Sequence, residues 1–252
     1  MIKFICEKTN EEASLSAAKV MADVIKNKPD AVIGLATGSS PINMYKELIR
    51  MYEAGELSFK NVRSVNLDEY VGLSPDHDQS YAYFMNENLF NSIDIDKANT
   101  NLPSGLADDP VAECVRYDKV IESMGCIDIQ LLGIGNNGHI GFNEPDSYFP
   151  KTTSLVELTD STIDANSRFF ASRDLVPTKA LSMGIGQIMA AEKVLLLAFG
   201  TGKAEIIEKA FFGPVTPEVP ASILQFFKGE VIVCTDEAAF ACIREKHPEV
   251  LS

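Results

Sequence analysis

The sequence predicts an α/β protein with an open, mostly parallel sheet and helices on both faces, a modified Rossmann-like arrangement in a single domain. Three observations carry that expectation. Five short, nearly continuous apolar runs (31–36, 62–67, 127–132, 194–199 and 231–234) suit parallel strands covered on both faces. Helix-patterned segments at about 11–27, 41–54, 79–91, 110–124, 160–171, 202–211 and 236–246 fall between them, so the chain alternates as βαβ units require. No composition break, repeat or low-complexity linker interrupts the 252 residues, a length that one core can serve.

Charge and composition exclude several function classes. A net charge of −14 argues against nucleic acid or an anionic membrane surface as partner. No apolar run reaches the roughly eighteen residues that a membrane helix needs. The N-terminus, Met1-Ile-Lys-Phe-Ile-Cys-Glu7, turns acidic too early for a secretory signal. Cys6, Cys114, Cys126, Cys234 and Cys242 are odd in number and form no C-x-x-C, so they are expected as small buried hydrophobes in a reducing cytoplasm. The acidic background also sets a condition: an anionic ligand would need local cations or helix amides.

In such sheets ligands bind beyond the carboxyl ends of the strands, so the loops after strands are read in order. After 31–36 comes Ala36-Thr37-Gly38-Ser39-Ser40-Pro41. Ser40 suits a helix cap and Pro41 the first turn, and free amides at a helix start suit a phosphate. The same residues would also make an ordinary serine-capped βα turn, and they do not form a Walker A loop. After 62–67 comes the acidic pair Asp68-Glu69, which could hold a metal, act as a base or face water. Nothing nearby supplies the His or Cys that a transition metal favours.

The third loop, Gly133-Ile-Gly-Asn-Asn-Gly-His-Ile-Gly-Phe-Asn-Glu-Pro145, is the most informative. Four glycines in nine residues bare the backbone for close approach of a ligand, and into it are set one histidine, His139, and one carboxylate, Glu144. Gly133, Gly135 and Gly138 satisfy the dinucleotide fingerprint G-x-G-x-x-G. That motif needs a long helix next, however, and Gly141, Pro145 and Pro150 oppose one. Arg168 in Asn166-Ser-Arg-Phe-Phe170 offers a guanidinium fork for phosphate. Lys203 in Phe199-Gly-Thr-Gly-Lys203 opposes the dipole of the helix it begins, so a bound anion explains it better than helix stability does. His77 lies in a polar turn and His247 near the C-terminus; neither is a candidate.

Together these segments resemble the glucosamine-6-phosphate deaminase family over nearly the whole chain and in the expected order. The segments are Leu35-Ala-Thr-Gly-Ser-Ser-Pro41, Asn66-Leu-Asp-Glu-Tyr-Val-Gly-Leu73, the 133–145 loop and Ala165-Asn-Ser-Arg-Phe-Phe170. The resemblance implies one sugar-phosphate isomerase/deaminase domain, 1–252, and an aldose–ketose isomerisation with loss of ammonia. Glucosamine 6-phosphate and water would give fructose 6-phosphate and ammonium, with no redox cofactor and no required metal. His139 would open the ring, supported by Glu144 and Asn137, and Asp68 would move a proton from C2 to C1. Phosphate would rest on Thr37, Gly38, Ser39, Ser40, Arg168 and Lys203. Because water releases the ammonia, the class expected is a hydrolase with an isomerase-like step, in the cytoplasmic catabolism of N-acetylglucosamine.

Two departures from the family pattern modify this expectation. Many members carry aspartate where Asn137 stands, so here Glu144 is expected to be the main partner of His139. Allosteric members use a basic pair downstream where this chain has Ser154 and Val156, with Lys151 the sole cation of 147–156. Hyperbolic kinetics are therefore expected, in a monomer or a homo-oligomer. Two alternatives stay open: a 6-phosphogluconolactonase, which needs no carbon-proton base, and a non-enzymatic sugar-phosphate sensor domain.

Overall fold

A computed structural model describes residues 1–251. The chain runs β1 (Ile2–Glu7), α1 (Asn10–Asn27), β2 (Val32–Leu35), α2 (Ile42–Glu53), β3 (Arg63–Asn66), β4 (Asp68–Tyr70) and α3 (Tyr81–Asn88). It continues through β5 (Thr100–Asn101), α4 (Pro110–Met124), β6 (Ile129–Gly133), β7 (Ser154–Glu157), α5 (Asp160–Asn166), β8 (Lys179–Ser182) and α6 (Ile185–Ile188). It closes with β9 (Lys193–Ala198), α7 (Ala204–Phe212), β10 (Glu230–Asp236) and α8 (Ala241–Lys246).

Seven strands form one sheet in the order β1-β10-β9-β6-β2-β3-β5, and every neighbouring pair is parallel. The apolar runs explain this directly: β2 is buried along its whole length and β9 and β10 almost so, leaving no strand face for water. Right-handed crossovers place α1, α2 and α3 on one face, and α4 and α7 on the other, because the chain reverses its direction across the sheet. That reversal creates a crevice between the carboxyl ends of β2 and β6, the switch point at which α/β sheets take ligands.

Local sequence fixes the helices that line the crevice. The Thr9 side chain accepts from the Glu12 amide and caps α1. Ala13, Ala17, Ala18, Met21, Ala22 and Ile25 then bury one helical stripe. Burying Met21 and Ile25 contributes about 1.5–3 kcal/mol each, and the alanines between them let α1 lie close to the sheet. Asp109 caps α4 through the Val111 and Ala112 amides, with Pro110 in the first turn. At Gly34 in β2 a Cβ would lie 2.0 Å from Gln130 Oε1, so glycine there admits the buried side chain of the neighbouring strand.

Three expected helices are shorter than the sequence pattern suggested. The 79–91 helix is α3 followed by a 3-10 turn at Phe90–Ser92. The 160–171 helix ends at Asn166, since Phe170 turns extended and sets its ring 6.0 Å from that of Tyr70. The 236–246 helix begins only at Ala241, because Asp236 is still paired to Glu7 of β1. A second, antiparallel sheet, β4-β8-β7, was not expected; it pairs Asp68 with Ser182 and Ser182 with Ser154.

Candidate active site

One cavity of about 790 Å³ lies at the switch point. It brings together Asp68 and His139 with Thr37, Gly38, Ser39, Ser40, Asn137, Arg168 and Lys203. Residues expected from five separate loops therefore share one space. Glu144 does not line the cavity; it stands behind His139.

The 37–41 loop follows β2 into α2. Gly38 has φ +90, a conformation that favours glycine. Ser40 does not cap the helix as the sequence suggested: α2 begins at Ile42, the preceding Pro41 is helical, and no side chain bonds its first turn. The first amides of α2 are thus left without a side-chain cap, just beyond the cavity-lining Ser40. Across the cavity Lys203 precedes α7 and its Nζ donates to Asn136 Oδ1 at 2.5 Å. Burial, and then the Arg168 charge, pull the Lys203 ammonium below its ordinary range. The Arg168 guanidinium lies 4.6 Å above the Phe169 ring. Two mutually repelling cations beside bare helix amides make a site that an anion would relieve.

The histidine is built by glycines. A Cβ on Gly135 would lie 2.3–2.5 Å from three ring atoms of His139, and the Gly135 amide donates to the His139 carbonyl at 2.9 Å. Gly138 turns the chain at φ +90 and packs against Val219 and Ile206. His139 Nδ1 then lies 3.3 Å from Glu144 Oε2, an ion-pair distance at an angle short of a hydrogen bond. Glu144 is anchored in turn: Asn137 Nδ2 donates to Oε2 at 2.6 Å, and the Thr162 hydroxyl makes a short bond to Oε1. Burial pushes the Glu144 carboxyl up, but His139, Thr162 and Asn137 outweigh it and bring it down to about 2. Asn137 also accepts from the His139 amide at 3.2 Å, so it orients the segment without adding charge.

Asp68 opens β4, with β8 beside it, and is buried among Tyr70, Tyr81 and Tyr117. Burial first, and the neighbouring Glu69 charge second, push its carboxyl up to about 8. A carboxylate so poorly solvated is a far stronger base than one in water. Gly141, at φ +58, leaves room here: its Cβ would sit 3.2 Å from Ser182 Oγ and 3.7 Å from Asp68 Oδ2.

The sequence reading missed Thr162, Asn10 and Tyr81, all placed at or beside the cavity by the starts of helices. A threonine or asparagine at a helix start reads as a capping residue, so no local signal separates them. Among the described residues no group of three His, Cys, Asp or Glu side chains is arranged to hold a metal ion. No helix among them is long and apolar enough to cross a membrane.

Fold and site together define an α/β protein with a buried aspartate, a histidine backed by a glutamate, and two cations gathered at the sheet's switch point. The chain belongs to the family described as glucosamine-6-phosphate isomerases/6-phosphogluconolactonase, whose model matches residues 7–233. It is 55% identical to the glucosamine-6-phosphate deaminase of Clostridium perfringens (strain 13 / Type A) over 238 residues, 94% of this chain and 98% of that one. It is likewise 55% identical to that of Lachnoclostridium phytofermentans over 236 residues, 94% and 100% of the two chains. A solved structure of a monomeric glucosamine-6-phosphate deaminase superposes with a TM-score of 0.92 at 46% identity, covering 95% of this chain and 99% of that one. The 6-phosphogluconolactonase of Trypanosoma brucei shares the fold at a TM-score of 0.72 and 19% identity, over 98% and 99% of the chains. These comparisons correct the expected hydrolase class: the relatives are deaminases, and the grouping is with isomerase/deaminase chemistry of amino sugars.

Proposed function

We propose that this chain is an enzyme that converts glucosamine 6-phosphate and water to fructose 6-phosphate and ammonium. The observation that carries the reading is the sharing of one cavity by a buried, strongly basic aspartate, a histidine backed by Glu144, and the cations Arg168 and Lys203. The identity to deaminases over more than nine-tenths of the chain supports it.

The roles follow from where each group stands. Phosphate rests on Thr37, Gly38, Ser39, Ser40 and the α2 amides, with Arg168 and Lys203 supplying the charge. Remote binding of this kind orients the reacting carbons. His139 takes the proton of the anomeric hydroxyl and returns it to the ring oxygen, opening the sugar; Glu144 stabilises the imidazolium formed in between. Asp68 then removes the C2 proton and delivers it to C1 through an enolamine, leaving an imine at C2. Water adds there, the C–N bond breaks, and ammonia leaves as the ketose forms. One carboxylate serves both proton transfers because, raised to about 8, it binds a proton firmly enough to carry it and still returns it.

A cytoplasmic setting suits the five cysteines, which are all free. The lactonase alternative has the shared fold and the breadth of the family in its favour, but its ester chemistry has no use for a buried carbon-proton base. The test is to mix purified protein with glucosamine 6-phosphate and measure ammonia and fructose 6-phosphate together, with and without EDTA. Equimolar release of both supports the reading; hydrolysis of 6-phosphogluconolactone without ammonia release from the amino sugar overturns it.

A further inference from the structure

Glu69 is a buried carboxylate, 2% exposed, that the reaction above does not use. The bonds it makes are to three backbone amides: Oε1 accepts from Tyr70 and Tyr81, and Oε2 from Ala82, each at 2.9 Å. Tyr81 and Ala82 are the first two residues of α3, whose next amide, that of Tyr83, is already bonded by the Ser80 hydroxyl. A buried glutamate is an expensive way to finish a helix cap, because burying a charge costs far more than burying a hydroxyl. The start of α3 also carries the Tyr81 ring to the cavity wall beside Asp68, stacked on Phe142 at 6.0 Å and tilted against Tyr70 at 4.8 Å.

We propose that Glu69 is a positioning residue for this reaction: its carboxylate pins α3 to β4, seats Tyr81 against the substrate cavity, and sets a second carboxylate beside Asp68. The inference rests on the deaminase reading of that cavity. Successive residues of a strand point to opposite faces, so Glu69 acts on Asp68 through the strand and never touches substrate. The Asp68 carboxyl is faced by Tyr70 on its own strand, Tyr81 from α3, Tyr117 from α4, Ser182 from β8 and His139 across the cavity. Arg116 lies beyond Tyr117, 6.0 Å above its ring, and the cations Arg168 and Lys203 line the same cavity. Glu69 is therefore the one acidic group adjoining Asp68 among the described groups that shift it. A neighbouring negative charge makes an acid hold its proton harder, and the two carboxyls titrate as a pair. Removing the Glu69 charge makes Asp68 a weaker base that ionises at lower pH.

The experiment compares kcat/KM against pH, read as ammonia release, in wild type, Glu69→Gln, Glu69→Asp and Ser80→Ala. Glu69→Gln is expected to move the acidic limb down by about one pH unit and to lower the plateau about threefold. Glu69→Asp keeps the charge but shortens the reach, so its limb stays in place while KM rises as Tyr81 loosens. Ser80→Ala removes the other cap of α3 and lowers Tm, leaving the limb where it was. Glu69→Met serves for the charge comparison if the glutamine variant does not fold. The Asp68 carboxyl carbon, followed by 13C NMR against pH, reports the same shift independently of turnover. A Glu69→Gln limb and resonance that coincide with wild type, or an equal shift in Ser80→Ala, would overturn the proposal. Absence of ammonia release by wild type overturns the deaminase reading instead, and leaves the NMR comparison to decide the role of Glu69.

Discussion

At the scale of single residues, the chemistry turns on how poorly water reaches Asp68 and how well Glu144 is served. With its carboxyl raised to about 8, Asp68 is ionised only as the pH approaches that value, so kcat/KM should climb with pH and level off above it. The same shift has a cost in stability. A carboxyl that holds its proton more tightly folded than unfolded loses stability as pH rises, here from about 4 to about 8. Asp68→Asn should accordingly abolish turnover, by roughly 10³-fold or more, while raising Tm at about pH 9 by about 3 °C, close to 1 kcal/mol at this length. Parallel rate and melting measurements check both halves; a variant that is inactive and less stable contradicts the second. Glu144 presents the opposite sign: lowered to about 2, its contribution is present above the ordinary carboxylate range and is lost as pH falls towards 2. Glu144→Gln leaves the imidazolium without its counter-charge and sets an amide against the Asn137 donor, and is expected to cost ~10²-fold in kcat. Asn137→Ala removes the 2.6 Å bond to Glu144 and the 3.2 Å bond from the His139 amide, and is expected to cost ~10-fold. Equal turnover by Glu144→Gln and wild type would remove Glu144 from the ring-opening step.

At the scale of elements, the loop after β6 is shaped around the His139 ring, and Gly135 is where this can be tried. A methyl group there meets the ring at 2.3–2.5 Å, so the ring must swing while the surrounding strands hold. Gly135→Ala is expected to lower kcat ~10²-fold, the typical result of displacing a catalytic group by about an ångström. Tm should stay near wild type; circular dichroism and melting distinguish this from unfolding. Five of the seven parallel strands and the loops that follow them were legible because a short apolar run can do little but lie buried between helices; the half-buried edge strand β1 and the two-residue β5 lack such a run. His139, Asp68 and Lys203 were legible because charge or imidazole after a strand end has no packing purpose, and Arg168, in the turn after α5, by its place in the 166–170 segment. The β4-β8-β7 sheet was not, since β4 is three residues directly continuing β3, and Lys179-Ala-Leu-Ser182 has no pattern of its own. Its pairing is set by tertiary neighbours: Met183 donates to the Leu67 carbonyl at 2.7 Å and Phe142 to Ser182 Oγ at 3.0 Å. Thr162 was hidden for a related reason, as only the folded loop brings Glu144 to its hydroxyl.

At the scale of the whole molecule, that small sheet decides what a second ligand could do to the first. Ser154, Ser182 and Asp68 stand in one row across β7, β8 and β4. An anion held at β7 would thus act on the catalytic strand through two backbone ladders. Regulated relatives are expected to use basic side chains at this level, whereas β7 here offers Ser154 and Val156; Lys151 before it is exposed, and Lys179 on β8 is already paired with Glu157 at 3.4 Å. A protein of net charge −14 has no general attraction for a sugar phosphate, so a second site without its own cations has nothing to hold the ligand. Coupling between sites requires that the effector bind one state better than another; without binding there is no differential affinity to spend. Initial rates are therefore expected to be hyperbolic in glucosamine 6-phosphate, with a Hill coefficient of about 1. N-acetylglucosamine 6-phosphate added at subsaturating substrate should at most compete for the substrate cavity and slow the reaction. Sigmoidal rates that this compound makes hyperbolic would show a second phosphate site, and the row through Ser154 would be the first place to look for it.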